Sequence, residues 1–165
     1  MSSSTPDRLT AAVVTISDSS SRGEREDISG PAVASLLVKK QFQVVAREVV
    51  ADDQAAIGKI LMRLCEQARF VVTTGGTGVA LRDLTPEATT AVCDRLIPGI
   101  AERMRIEGSA KTKFAALSRG VCGTRGQSVI LNLPGNPKGA VESLEAVVDL
   151  IPHALQLLSG DTAHK

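Results

Sequence analysis

Residues 70–89 read FVVTTGGTGVALRDLTPEAT, and this stretch decides the fold. Segment 70–74 is apolar and rich in β-branched residues, as expected of a strand that is covered on both faces. The glycines of turn 75–78 remove side chains where backbone N–H groups can turn towards an anion. Thr85 then has the position of a helix N-cap, with Pro86 as the first helical residue. We therefore predict a buried strand, a glycine-rich anion-binding turn and a helix start.

Apolar strand-like segments alternate with amphipathic helical segments along the rest of the chain. This alternation predicts an α/β fold, a three-layer sandwich with a mostly parallel central sheet, helices on both faces and a β-hairpin at one edge. Residues 11–160 form one domain in this prediction, after a flexible segment, 1–10, and before a polar tail, 161–165. The predicted strands are 11–16, 42–50 and 70–74, and a hairpin turn at 123–126 precedes strand 128–133. The predicted helices begin near 30, 53, 85, 99, 137 and 152, and the one that begins at 85 runs to 96.

Four polar or glycine-rich loops follow predicted strands. Ligands of parallel α/β sheets gather beyond the carboxyl ends of the strands. Loops 17–27, 52–53, 75–83 and 134–137 are far apart in the sequence, but this topology brings them to one edge. We therefore expect the functional site to lie where these loops converge.

The glycine loop matches neither the Walker A pattern nor the GxGxxG pattern, so on its own it is either a tight turn or an anion site. Asp83 bears on this choice, because a carboxylate about 4 Å from a phosphate is repelled by roughly 4 kcal/mol at an effective dielectric of about 20. A Mg²⁺ ion between the two groups removes this conflict. Asp52 follows the second strand and is the other candidate acid. Either Asp52 or Asp53 caps the next helix, and we assign the cap to Asp53, which leaves Asp52 for the site.

Two further pairs of residues have two open interpretations. Ser17 and Asp18 at the end of the first strand either hydrogen-bond a heterocycle or ribose, or form a local turn. Ser118 and Arg119 either contact an anion or are simply solvated. The sequence does not separate these alternatives.

Composition excludes several classes of function. Lys and Arg number 19 against 18 Asp and Glu, and there are no Trp or Tyr residues, so we expect no nucleic-acid partner. The odd number of cysteines, three, and the absence of a CxxC pair indicate reduced thiols. No signal-like or membrane-spanning stretch is visible. We therefore expect a soluble, cytoplasmic protein without a membrane partner.

The chain resembles the molybdopterin adenylyltransferase family of molybdenum cofactor biosynthesis. The resemblance covers nearly all of 13–158, and the combination of the GGTG…RDLTPEAT block with the LPGNP block is its most specific part. The motifs that carry it are 15–18, 29–31, 52–53, 74–78, 82–89, 117–119 and 131–137.

The resemblance implies a homotrimer that transfers AMP from ATP to molybdopterin with the help of Mg²⁺, releases pyrophosphate, and precedes a molybdate-insertion enzyme. Asp52 and Asp83 would be the essential carboxylates and the Mg²⁺ ligands. The alternatives are a non-catalytic molybdopterin-binding or scaffold domain and a nucleotide-cleaving hydrolase. The implied phosphate, nucleotide and pterin contacts are Thr15, Ser17, Asp18, Gly75, Gly76, Thr77, Gly78, Ser118, Pro134, Gly135 and Asn136.

Overall fold

A computed structural model describes residues 9–160 and contains one six-stranded sheet in the order β2-β1-β3-β6-β5-β4. The first four strands in this order are parallel, and β5 and β4 are antiparallel additions at one edge. The predicted fold class is therefore confirmed. The strands are β1 Thr10–Ile16, β2 Gln43–Val50, β3 Phe70–Thr74, β4 Arg95–Leu96, β5 Cys122–Arg125 and β6 Ser128–Leu133.

Helices cover both faces of the sheet and bury two separate hydrophobic cores. Successive side chains of a strand point to opposite faces, so Val13 and Val72 join one core whereas Val14 and Val71 join the other. The first core is closed by α2, α5, α6 and α7, and the second by α3 and α4. The helices are α1 Asp18–Ser21, α2 Ser29–Lys39, α3 Gln54–Cys65, α4 Thr85–Val92, α5 Pro98–Ser109, α6 Pro137–Val147 and α7 Ile151–Leu158.

The helix predicted over 85–96 differs from expectation at both ends. Leu84, not Thr85, is its N-cap residue, because the Thr85 hydroxyl donates to a loop carbonyl instead of accepting from the helix. The helix ends at Val92, and Arg95–Leu96 forms β4. The helix stops because β4 pairs with β5, and this pairing satisfies the backbone N–H and C=O groups that would otherwise form helical hydrogen bonds.

The hairpin is present, but its turn lies later than predicted. Residues 123–125 belong to β5, and the turn is Gly126–Gln127, with Gly126 at φ +57°. Gly123 is required inside the strand, because a Cβ there would lie 2.7 Å from the carbonyl oxygen of Arg95. Close strand approach, rather than turn geometry, thus explains this glycine.

Two segments without predicted structure are helical. Residues 18–21 form α1 inside the loop predicted at 17–27, and a 3-10 helix spans Lys113–Leu117. The predicted restart near Pro152 is confirmed, since a 3-10 turn at Val148–Leu150 leads into α7. In the described part of the chain, no helix is long and apolar enough to cross a membrane.

The predicted terminal segments fall largely outside the described residues. Of the predicted flexible segment 1–10, only Leu9 and Thr10 are described, and Thr10 is the first residue of β1. The predicted tail, 161–165, lies entirely outside them.

Candidate phosphate-binding site at the carboxyl edge of the sheet

The carboxyl ends of the four parallel strands lie side by side. Thr74 at the end of β3 is in register with Thr15 of β1 and with Leu133 of β6, and Ile16 is in register with Val50 of β2. The four predicted loops leave the sheet directly after these positions. The topology therefore brings them together as the sequence indicated.

Two cavities open between these loops and share one junction. The larger, of about 660 Å³, extends towards α5 and the 3-10 helix at 113–117, and the smaller, of about 440 Å³, extends towards α1 and the start of α2. Thr15, Ser17, Asp52 and Gly75 line the smaller cavity, and Thr77, Gly78, Ser118 and Pro134 line the larger. The junction common to both is Gly76, Asp83, Gly135 and Asn136. Among the acids and ligand contacts that the resemblance implied, Asp18 alone lines neither cavity.

The first two glycines of the loop adopt a backbone that favours glycine. Gly75 has φ +106° and Gly76 has φ +68°. A Cβ on Gly75 would overlap the carbonyl oxygen of Ile16, and one on Gly76 would overlap the Thr85 hydroxyl. Both glycines are therefore required by conformation and by space.

The glycine loop is held through three of its carbonyl groups and through Gly75 N, which donates to Leu133 O at 3.1 Å. Gly75 O accepts from the Thr85 hydroxyl at 2.9 Å, Gly76 O from Thr85 N at 3.1 Å, and Thr77 O from Arg119 N at 2.8 Å. Within residues 9–160, the N–H groups of Gly76, Thr77 and Gly78 donate to no protein acceptor. Consecutive free N–H groups in a turn form a concave site for an anion.

Asp52 is fixed by a reciprocal pair of hydrogen bonds with Asp18. Asp18 N donates to Asp52 Oδ2, and Asp52 N donates to Asp18 Oδ1, both at 3.0 Å. Arg82 then forms a two-point ion pair with the Asp18 carboxylate at 2.6 and 2.9 Å. Asp18 thus connects Asp52 to the loop that carries Asp83, and both of its oxygens are occupied by protein donors. Asp53 caps α3 through Ala56 N at 2.9 Å, as predicted.

Asp83 lies on a small turn of its own loop. Its backbone N–H donates to Ala80 O at 3.0 Å, and its Oδ2 accepts from Ala80 N at 2.9 Å. In the described chain, Oδ1 of Asp83 and Oδ1 of Asp52 each accept no hydrogen bond. Asp52 and Asp83 therefore each line a cavity, and each keeps one carboxylate oxygen that accepts no hydrogen bond from the described chain.

The acids of this site differ in the direction of their pKa shifts. The hydrogen-bonded Arg82 guanidinium lowers the pKa of Asp18. Burial raises the pKa of Asp52, and the negative charges of Asp18 and Asp83 raise it further, against the opposing hydrogen bond from Asp18 N. The protein therefore compensates the negative charge of Asp52 only in part.

Several predicted contact residues use their side chains locally. The Thr15 hydroxyl donates to Asp27 Oδ2 at 2.7 Å, Ser17 Oγ caps α1 through Ser20 N at 3.2 Å, and Asn136 Oδ1 caps α6 through Gly139 N at 3.0 Å. These side chains line the cavities, but the atoms named have protein partners. Within residues 9–160, the Asn136 amide nitrogen donates to no protein acceptor and remains available to a ligand.

Sequence reasoning missed residues that reach the site from distant elements. Asp27 lies in the smaller cavity, where it accepts from Thr15 and from Gly30 N at 3.0 Å. Asp27 stands three residues before Gly30, which is the spacing of an Asx-type cap, so the sequence could have predicted this contact. The apolar wall of the larger cavity had no local signal; it includes Met104, Phe114, Ala115 and Leu117.

The donor set at the junction bears on whether a metal ion fits there. Within residues 9–160, no group of three or more His, Cys, Asp or Glu side chains could hold a metal by itself. Mg²⁺, however, is commonly held by one or two carboxylates together with phosphate oxygens and waters. Asp52 and Asp83, each with a free oxygen, fit this second arrangement.

A covered parallel sheet with free loop N–H groups and two acids at its carboxyl edge is typical of α/β proteins that bind phosphate-bearing ligands. Comparison with known families identifies the family within this class. Residues 12–153 match the family described as "Probable molybdopterin binding domain", and the chain belongs to this family.

Relatives and solved structures are similar over nearly the whole chain. The chain is 44% identical to a molybdopterin adenylyltransferase of Helicobacter pylori strain J99, over 90% of this chain and 87% of that protein. It is 40% identical to the molybdopterin adenylyltransferase of Escherichia coli K12, over 92% and 86%. The crystal structure of the molybdopterin biosynthesis enzyme MoaB of Thermus thermophilus is 49% identical and superposes with a TM-score of 0.87, over 92% and 97%.

Proposed function

We propose that this protein transfers AMP from ATP to molybdopterin and releases pyrophosphate, as a step of molybdenum cofactor biosynthesis. The observation that carries the proposal is the junction of two cavities at Gly76 and Asp83. A reaction between two phosphate-bearing substrates requires two pockets whose reacting ends meet at one anion site. The names of the relatives at 44% and 40% identity support the same reaction.

The chain's own groups have defined tasks in this proposal. The free N–H groups of Gly76, Thr77 and Gly78 hold phosphate oxygens at the junction. A terminal phosphate oxygen of molybdopterin attacks the α-phosphorus of ATP, and the bond from that phosphorus to the pyrophosphate oxygen breaks. Asp52 and Asp83 would hold Mg²⁺, which would supply positive charge against the phosphates that meet there.

A covalent cysteine intermediate has no place in this mechanism. Burial raises the pKa of Cys65 and Cys93 to about 11 and that of Cys122 to about 12. None of the three lines either cavity of the site. Direct transfer between the two bound phosphates therefore suffices.

The proposal includes a homotrimer that acts in the cytoplasm and passes its product to a molybdate-insertion enzyme. Large apolar side chains such as Val38, Ile106 and Phe114 are more than half exposed, which is the kind of surface that an oligomer covers. The three free thiols are typical of a reducing compartment. Light scattering should give a mass three times the 17.2 kDa of the chain.

The deciding experiment mixes the purified protein with ATP, Mg²⁺ and freshly released molybdopterin and measures adenylylated pterin by chromatography and mass spectrometry. We expect Asp83→Asn and Asp52→Asn each to lose at least about 100-fold in turnover, because each removes charge at the reacting phosphates. Asp53→Asn is the matched control, since this neighbouring acid is exposed and lines neither cavity. Tight pterin binding without product would favour a carrier or scaffold, and AMP release without pterin would favour a hydrolase.

A further inference from the structure

Arg119 follows Ser118 and contacts the loop that carries Asp83. Its Nε donates to Gly78 O at 2.7 Å, and its Nη2 donates to Asp83 O at 2.7 Å. Its Nη1 is paired with the Glu87 carboxylate. We propose that Arg119 is a positioning residue that fixes Asp83 at the junction of the two cavities.

The two carbonyl groups that Arg119 binds are the two ends of one exposed turn. The intervening tip is open to solvent, since Val79 is 67% exposed and Leu81 is 97% exposed. Such a segment has few packing contacts to fix it. Within the described residues, the Asp83 carboxylate bonds only to Ala80 N of this same turn, so its position in the site depends on how the turn is anchored. A planar guanidinium that bridges both ends restricts the turn more than a single contact would.

The turn is anchored from two sides. Arg82 ties it to Asp18 and, through Nη2, to Asp52 O at 3.2 Å, on the side of β1 and β2. Arg119 ties it on the opposite side, from the segment that leads into β5. Each arginine contact is charge-assisted and stronger than a neutral hydrogen bond. Asp83 is thereby held relative to Asp52 rather than only relative to its own helix.

Arg119 does not fit the alternative role of a substrate ligand. It lines neither of the two site cavities, but a separate hollow of about 300 Å³ that Leu96 and Pro98 also line. Each of its three guanidinium nitrogens donates to a protein oxygen, and Glu87 supplies a compensating negative charge. The sequence alone suggested either an anion contact or a solvated arginine. The geometry supports a third role, in which Arg119 binds protein carbonyl groups.

The test compares Arg119→Met and Arg119→Lys with Glu87→Gln. The control removes the carboxylate partner but leaves both carbonyl contacts in place. We expect Arg119→Met to lower kcat about 100-fold with KM for ATP and for molybdopterin within about twofold, because a displacement of about 1 Å costs that much. Lysine, which satisfies one carbonyl at a time, should be intermediate. Glu87→Gln should stay within about twofold in kcat.

The kinetic part rests on the proposed function, so a second readout is independent of activity. Hydrogen exchange of the peptide covering 78–84, in full-length protein without substrate, should be at least about tenfold faster in Arg119→Met than in Glu87→Gln. Unchanged exchange would overturn the proposal, and so would a rise in KM with kcat retained. If the wild type forms no adenylylated pterin, the proposed function fails, while the exchange comparison still decides whether Arg119 orders the loop. Should Arg119→Met not fold, Arg119→Lys gives the same comparison.

Discussion

Replacing Gly76 by alanine tests the geometry of the anion loop directly. Gly76 has φ +68°, and an added Cβ would overlap the Thr85 hydroxyl and lie 3.2 Å from Asp52 Oδ1. The Thr85 hydroxyl cannot move freely, because it donates to Gly75 O at 2.9 Å. Thr85 itself is fully buried. The new methyl group must therefore break this hydrogen bond or shift the start of α4.

The magnitude follows from two contributions. A non-glycine residue in the left-handed region costs about 1 kcal/mol. Losing a buried hydrogen bond and leaving its carbonyl unsatisfied costs about 2 kcal/mol more. Gly23 provides the matched control, since it has φ +72° but nothing within 4 Å of an added Cβ. Gly23→Ala should therefore show the first contribution alone, and both variants change the unfolded chain equally.

Denaturant unfolding followed by circular dichroism measures both variants against the parent protein. We expect Gly76→Ala to be about 2 kcal/mol less stable than Gly23→Ala, or about 4–8 °C lower in Tm for a domain of this size. Pterin adenylylation should fall in Gly76→Ala and stay unchanged in Gly23→Ala. Equal stability of the two variants would refute the claimed overlap with Thr85, and with it the derived shape of the loop.

Three further predictions concern the thiols, the core and a helix cap. At pH 8, alkylation by iodoacetamide should be slower in native than in unfolded protein, roughly 100-fold for Cys65 and Cys93 and roughly 1000-fold for Cys122, because burial raises their pKa from 9.0 to about 11, 11 and 12. Comparable rates in the two states would contradict this burial. Asn132→Leu should destabilise by about 3 kcal/mol in urea unfolding, since the buried Asn132 amide makes three hydrogen bonds. Asp53→Ala should cost about 1 kcal/mol through the lost cap of α3, with activity retained.

Much of the fold followed from local pattern. Ile57, Ile60, Leu61 and Leu64 repeat at helical spacing, and all four are buried in the second core. Asp53 was the predicted N-cap, since an acid directly before an apolar periodic segment satisfies free helix N–H groups. Such features depend on neighbours within about one turn, which a single sequence contains.

The features that sequence reasoning missed depend on partners that are distant in the chain. Arg95–Leu96 is a strand only because β5, almost thirty residues later, pairs with it. Thr85 departs from its capping role because the carbonyl of Gly75 competes for its hydroxyl. Neither partner is defined by local spacing, so propensity gave a longer helix with a different cap.

In the candidate site, too, the features set by topology were predictable and those set by distant side-chain partners were not. Loop convergence was predictable, because parallel strands place their carboxyl ends together. The sequence left open what Asp18 and Arg119 contact, since a long side chain can reach many partners and its direction is set by packing. In the structure both contact protein atoms: Asp18 bonds Arg82 and Asp52, and Arg119 bonds loop carbonyls. The sequence thus identified the edge of the sheet but not the arginines that anchor its acids.

The charges at the junction distinguish this site from a passive anion-binding turn. Arg82 compensates Asp18 and lowers its pKa, whereas burial and nearby carboxylates raise the pKa of Asp52. An acid with a raised pKa is less stable in its charged form within the fold than in the unfolded chain, so at neutral pH it opposes folding. A turn that only bound phosphate would gain nothing from such a group, because its charge also repels the ligand. A cation that entered together with the phosphates would compensate this charge, which is consistent with the nucleotidyl transfer proposed above.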